Sequence, residues 1–217
     1  MKKNLSSRIY AFCTGAVLCA AAAAAVANEN LLLLQSQWAA ATYETSVEER
    51  EDALAALADQ ARELCADQCR DPELLIWKGI IVSSLAGEKG GLGALGLAKE
   101  AKASLERALE IEPQALQGSA YTSLGTLYHK VPGWPLGFGS DKKARSHLDK
   151  ALTINPDGVD PNYFMAEFML DEGEYQLARE HLLKALAAPQ RPGRERADAG
   201  RRQEVNQMLA KVQAKLD

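Results

Sequence analysis

The chain has 217 residues, 47% of them hydrophobic, and a net charge of −4 at neutral pH. This length suffices for one compact domain or a short solenoid with its own apolar core. The acidic balance argues against nucleic-acid binding, which depends on clustered basic side chains.

Residues 1–27 have the pattern of a secretory signal peptide. Three basic residues accompany an alanine-rich apolar run over residues 9–26, which ends in the small-x-small cleavage site Ala25-Val26-Ala27. We therefore expect export to the periplasm of a Gram-negative bacterium. Cleavage would remove three positive charges and change the net charge from −4 to −7. The alternative is a retained membrane anchor, because the run is barely long enough to span a bilayer.

Residues 28–70 are predicted to form an N-terminal capping pair of helices, over Leu31–Tyr43 and Val47–Cys69. Cys65 and Cys69 are an even pair in an expected oxidising compartment, which is compatible with a disulfide. Four residues apart on a regular helix, their side chains are poorly aimed for that bond unless the helix ends early. The disulfide and the free thiols both remain open.

Residues 71–189 are predicted to form three helix-turn-helix units, over 71–113, 118–156 and 159–189. Small and large apolar residues recur in phase, and Ala144 and Ala151 are followed 34 residues later by Ala178 and Ala185. Small residues let the two helices of a unit cross closely, and larger side chains fill the gaps between crossings. Stacked units share a core and leave a concave face lined by their first helices.

Two units carry insertions between their helices. Residues 87–96 are rich in glycine and are predicted to form a long connection. They contain a formal match to the dinucleotide fingerprint, which requires a preceding strand that this helical pattern does not supply, so no cofactor is predicted. Residues 131–140 hold Trp134 and Phe138 among two prolines and three glycines. This second loop either covers its own repeat or forms an aromatic lid over the concave face.

Residues 190–217 are predicted to form a polar C-terminal capping helix with a narrow apolar stripe. This tail has seven basic and four acidic residues, which we interpret as a solvated helix face.

The sequence offers no arrangement of residues that predicts catalysis. The three histidines, His129, His147 and His181, are not spaced as metal ligands, and no serine or cysteine has a recognisable nucleophile setting. We expect His147 and His181 to be exposed on successive second helices. We therefore predict that the chain is not an enzyme and that it binds neither a metal nor a cofactor.

The 34-residue period and its phase resemble the tetratricopeptide repeat, over about residues 73–189. The resemblance implies an all-α fold, a right-handed α-solenoid of helix-turn-helix repeats with capping helices. The loop Pro132–Gly139, running into Asp141-Lys142-Lys143-Ala144, is similar to the periplasmic T components associated with TRAP transporters. That narrower resemblance implies small hydrophobic ligands and contact with a periplasmic substrate-binding protein.

We expect an exported, non-catalytic scaffold or adaptor that binds a protein or peptide partner on its concave face and loop rim. The alternative is a periplasmic small-ligand-binding or transporter-associated protein, with a pocket between the two inserted loops. Neither hypothesis involves nucleic acid or, after cleavage, a stable membrane span. The residues expected to form the binding surface are Tyr121, Tyr128, His129, Trp134, Phe138, Asn162 and Tyr163.

The leader pattern predicts a defined mature N-terminus. N-terminal sequencing of the protein isolated from the periplasm should begin at Asn28, because signal peptidase cuts after the small-x-small site. An unprocessed chain recovered from the cytoplasm would contradict the prediction.

Overall fold

The computed structural model describes residues 29–66 and 69–217, without the side chain of Leu92. All the regular elements of this part are helices, which confirms the predicted all-α class. The proposed leader and its cleavage site lie outside the described residues. The helices are α1 (residues 29–43), α2 (Val47–Leu64), α3 (Pro72–Lys89), α4 (Gly91–Ile111), a 3₁₀ turn (Ala115–Gly118), α5 (Ser119–Lys130), α6 (Asp141–Ile154), α7 (Val159–Asp171), α8 (Tyr175–Ala187) and α9 (Glu195–Leu216).

Three helix pairs, α3–α4, α5–α6 and α7–α8, form the body of the solenoid. The first two pairs each cross at a glycine of the first helix. A Cβ atom on Gly79 would lie 2.6 Å from Leu105 Cγ, and one on Gly125 would lie 2.7 Å from Leu148 Cγ. Both distances are shorter than carbon atoms can approach, so the same steric requirement is met at the same place in successive units.

The first helices of the pairs form the inner layer of the solenoid. α3 contacts α5, and α5 contacts α7, whereas the second helices α4, α6 and α8 make no comparable contacts with one another. Helices that approach more closely lie on the inside of a curved stack, so the concave side is formed by α3, α5 and α7.

Capping residues fix several helix ends. The Asp71 side chain accepts hydrogen bonds from the backbone N–H groups of Glu73 and Leu74, and Ser140 accepts one from Lys143 at the start of α6. α6 ends at Ile154, directly before Asn155-Pro156, because the residue before a proline disfavours helix.

The predicted connection over residues 87–96 is wrong. α3 continues to Lys89 and α4 begins at Gly91, so the extra residues lengthen both helices. Gly90 alone separates them, with a φ of 59° that favours glycine. Half-buried Ala94 and Leu97 pack against the core and offset the low helix propensity of the glycines.

The second helix of the N-terminal pair is shorter than predicted. α2 ends at Leu64 rather than at Cys69, and a disulfide joins Cys65 to Cys69 beyond its end. The two cysteines therefore do not lie together on a regular helix, and the unfavourable side-chain geometry expected for that case does not apply. Within the described residues, no helix is both long and apolar enough to cross a bilayer.

The helix crossings predict a position-specific cost for one substitution. Gly125→Leu should lower the free energy of unfolding by about 1–3 kcal/mol or more, because the new side chain would overlap Leu148. Gly87→Leu is the matched control, since a Cβ at Gly87 on α3 meets no atom within 4 Å. Urea denaturation of both variants checks this, and equal stabilities would contradict the assigned crossing.

Candidate functional site

The C-terminal segment contacts first helices near both ends of the stack. The Arg194 guanidinium lies 4.7 Å from the centre of the Trp77 ring on α3, and Gly200 of α9 lies against the ring of Tyr43 on α1. α9 also contacts α7 and α8. The predicted C-terminal capping helix is thus present, but it buries Asp198 and Arg201 of the face that was interpreted as solvated. Binding on the concave face stays a prediction.

A buried arginine holds this helix in place. Arg201 is only 7% exposed, and its guanidinium lies 4.3 Å from the ring centre of Tyr163 and 4.7 Å from that of Phe164. Its Nε donates to Asp160 Oδ1 at 2.9 Å, and its Nη1 donates to Glu204 Oε2 at 2.6 Å. The cation is therefore satisfied by carboxylates of α7 and α9 and by two aromatic faces of α7.

A second arginine extends this ionic cluster. Arg191 Nη1 donates to the other carboxylate oxygen of Asp160 at 2.6 Å, and Arg191 Nε donates to buried Asp198 at 2.7 Å. Burial alone would raise the pKa of Asp160, but the charges of Arg201 and Arg191 outweigh it and hold that pKa at about 2. Asp160 is therefore ionised at neutral pH and links the chain's tail to α7.

The aromatic loop, residues 131–140, lies at the edge of the solenoid between α5 and α6. Its backbone is closed by hydrogen bonds from Gly139 N to Pro132 O at 3.0 Å and from Ser140 N to Tyr128 O at 2.8 Å. A Cβ atom on Gly139 would collide with the carbonyl oxygen of Val131, so only glycine fits there. The backbone of the loop is consequently held in one tightly folded conformation.

Two apolar side chains project from this loop into solvent. Trp134 is 90% exposed and Leu136 is 70% exposed. Phe138 instead packs edge-on against the ring of Tyr128, with 5.6 Å between ring centres. The loop is thus divided between two roles: Phe138 anchors it to its own repeat, and Trp134 with Leu136 forms an outward surface.

The remaining residues predicted for the binding surface are dispersed. Tyr121 is half-buried and Tyr128 is buried. His129 pairs with Asp171 at 2.9 Å, and Tyr163 lies under Arg201. Asn162 is fully buried and donates to the carbonyl oxygens of Pro156 and Gly158, so it stabilises the α6–α7 connection instead of facing a partner.

His147 and His181 are not the exposed repeat residues that we expected. The His147 ring lies 5.2 Å from that of Tyr128, and His181 Nδ1 lies 2.9 Å from the side-chain oxygen of Asn162. Burial lowers the pKa of His181, so the neutral form is favoured. Among the residues that the structure describes, no three His, Cys, Asp or Glu side chains are grouped as metal ligands.

The hypothesis of a pocket between the two insertions gains no support from the geometry. The glycine-rich segment is helical, and α4, which opens with the fingerprint glycines, follows a helix rather than a strand. Two open cavities, of about 310 and 320 Å³, lie instead beside the start of α9, the first between it and α1.

Some residues of these surfaces do not follow from the sequence reasoning. Leu136 is absent from the predicted surface, and Arg201 was assigned to a solvated face. The signal for the buried helix was the pair of small residues Ala197 and Gly200, which share one side of α9 and are both buried. Small residues on one helix side indicate close packing even where the composition is polar.

Comparisons with known proteins agree with the repeat architecture. The family described as tetratricopeptide repeat matches residues 92–115, which cover α4 and the start of the turn after it. TTC0263, a thermophilic TPR protein of Thermus thermophilus, is 19% identical with a TM-score of 0.46, over 86% of this chain and 98% of that one. No curated protein matches. The family match confirms the resemblance to tetratricopeptide repeats.

The ionic cluster predicts a pH-dependent contribution to stability. Because the folded-state pKa of Asp160 lies below its ordinary value of 3.8, its carboxylate stabilises the fold above about pH 4, and this is lost toward pH 2. Asp160→Asn should therefore be less stable than the wild type by about 2 kcal/mol at pH 6, with a difference that shrinks toward pH 2.

Urea denaturation at pH 6, 4 and 2.5 measures this difference. Asp52→Asn is the control, because Asp52 is exposed and forms no ion pair with any other described residue. A difference between wild type and Asp160→Asn that is the same at all three pH values would contradict the assignment.

Proposed function

We propose that this chain of tetratricopeptide-type helix pairs is an exported, non-catalytic scaffold that binds a protein partner at its edge through the aromatic loop. Helical repeats of this kind are generally interaction scaffolds, which suits a fold that displays loops on a rigid stack. The proposed contact surface lies at the edge of the solenoid, where Trp134 and Leu136 project.

The exposure of Trp134 carries this proposal. A tryptophan that is 90% exposed, beside a leucine that is 70% exposed, leaves apolar area in water that neither side chain buries within the described fold. The loop backbone is already ordered by its own hydrogen bonds, so docking on these side chains would cost little conformational entropy. Tryptophan anchors of this kind commonly dominate the binding energy of an interface.

The absence of catalysis is proposed from the chemistry of the polar groups. The nearest arrangement to an acid–base pair is His129 with Asp171, at 2.9 Å. The other ring nitrogen of His129, Nδ1, is buried without a hydrogen-bond partner, and the ring lies edge-on to Phe168. It therefore has no open path to exchange a proton with a substrate.

Export is proposed from the leader pattern of residues 1–27. The Cys65–Cys69 disulfide supports it, because such bonds persist in oxidising compartments. A role beside a TRAP transporter stays a prediction from the loop resemblance. The edge surface proposed here would also serve contact with a periplasmic binding protein.

The loop surface can be tested by double substitution. Trp134→Ala with Leu136→Ala should weaken partner capture at least about tenfold, equivalent to about 1.4 kcal/mol, while leaving the melting temperature nearly unchanged. The tagged mature protein would be incubated with periplasmic extract, and each captured protein would be quantified by mass spectrometry across a dilution series. The loss is expected because both side chains contribute to contact and not to the core.

Leu177→Ala with Leu183→Ala is the matched control, since both leucines lie exposed on α8, away from the loop. Capture that is equal for the two double variants would contradict the proposed surface. A large fall in melting temperature for the loop variant would show that its side chains support the fold instead.

A further inference from the structure

An open cavity of about 310 Å³, here called the α1–α9 cavity, lies between α1 and the start of α9. It is lined by Gln35, Ser36 and Ala39 of α1 and by residues 193–197 of the C-terminal segment. This volume is at the lower end of the range that small-molecule sites in proteins enclose. None of the lining residues belongs to the aromatic loop, so a ligand bound here would use a different surface from the proposed partner.

A guanidinium without an anionic partner lines this cavity. Arg194 rests on the ring of Trp77, 4.7 Å from its centre, and its Nε atom is buried without a hydrogen-bond partner. No carboxylate of the described residues lies within 4 Å of the Arg194 nitrogens, whereas Arg191 and Arg201 are both bound to Asp160. Burial, and next the like charge of Arg191, lower the pKa of Arg194. A cation removed from water without compensation is costly, so the cavity favours an anion beside it.

The other charged side chains that line the cavity are already paired. Arg196 Nε forms an ion pair with Glu44 Oε1 at 2.6 Å. The Glu195 carboxylate accepts a hydrogen bond from the backbone N–H of Gly193 at 2.9 Å. Arg194 is therefore the charge that an anion entering the cavity would meet.

Hydrogen-bond donors face the same space from both walls. The Gln35 side chain is only 7% exposed, and its amide forms no hydrogen bond with a described residue. No side chain caps the start of α9, and the backbone N–H groups of Arg196 and Ala197 in its first turn have no acceptor among the described residues. Such N–H groups carry partial positive charge and bind oxyanions.

We infer that the α1–α9 cavity binds a small molecule that carries an oxyanion, either a carboxylate or a phosphate group. The Arg194 guanidinium and the Gln35 amide donate to its oxygen atoms, and the first turn of α9 adds backbone donors. Ala39 and Ala197 also line the cavity and leave room for a compact apolar part of the molecule. Because one ligand contacts both α1 and α9, its binding stabilises the folded chain.

The test is isothermal titration calorimetry of the mature protein with four small probes at constant ionic strength. Benzoate and phenyl phosphate carry the two oxyanions, benzamide is the uncharged counterpart of benzoate, and benzamidine is the cationic one. The anions should bind and raise the melting temperature, whereas benzamide and benzamidine should do neither. The anion that binds more tightly shows whether the site prefers a carboxylate or a phosphate.

Two substitutions remove the donors one at a time. Arg194→Gln should weaken binding of the anions at least about tenfold, and Gln35→Met at least about threefold, because each loses hydrogen bonds to the oxyanion. Arg179→Gln is the matched control, since Arg179 is exposed on α8 and forms no ion pair with a described residue. Gln35→Met keeps the test valid if Arg194→Gln unfolds, because it changes no charge.

The absence of anion binding, equal binding of benzamide, or an equal loss of affinity in Arg179→Gln would overturn the inference. Affinity that Arg194→Gln leaves unchanged, or Gln35→Met where Arg194→Gln does not fold, would place the anion elsewhere and overturn it as well. Trp134→Ala with Leu136→Ala should bind the anions as the wild type does, so either proposal can fail while the other stands.

Discussion

The cation of Arg201, enclosed by the rings of Tyr163 and Phe164 and bound to Asp160, determines how the two ends of the solenoid are arranged. Removing an arginine from water costs several kcal/mol unless carboxylates and aromatic faces replace its hydration, and here both are present. This cluster is made only when α9 lies against α7, so it selects one position for the last helix. With Tyr43 on its other side, α9 joins the first helix to the last repeat.

The exposed apolar surface of the aromatic loop projects at the edge of the solenoid, at Trp134 and Leu136. The aromatic loop can do this because glycines allow its backbone to fold tightly and Phe138 fixes it on Tyr128. Trp134 is then held in position without being buried, so the stability of the repeat and the contact surface depend on different side chains.

The sequence predicted the features that follow from local periodicity. The positions of Gly125 and Leu148 came from a period that is visible in the chain, and their contact follows from the geometry of two crossing helices. The helix over residues 91–97 was missed because glycine content indicated a loop, while packing against neighbouring helices decided otherwise. The role of Arg201 was missed because a buried ion pair joins residues 41 positions apart, which no local pattern encodes.

Hydrogen–deuterium exchange of the mature chain tests the position of α9 against α7 most directly. If α9 is fixed by the Arg201 cluster, the backbone amides of residues 198–205 should exchange as slowly as those of α6 in the central repeat. Both sets of amides would then exchange only when the whole chain unfolds. Arg201→Ala should then speed exchange in α9 and leave α6 protected. Rapid exchange of residues 198–205 in the wild type, with α6 still protected, would show that the last helix is detached from α7, which contradicts the account.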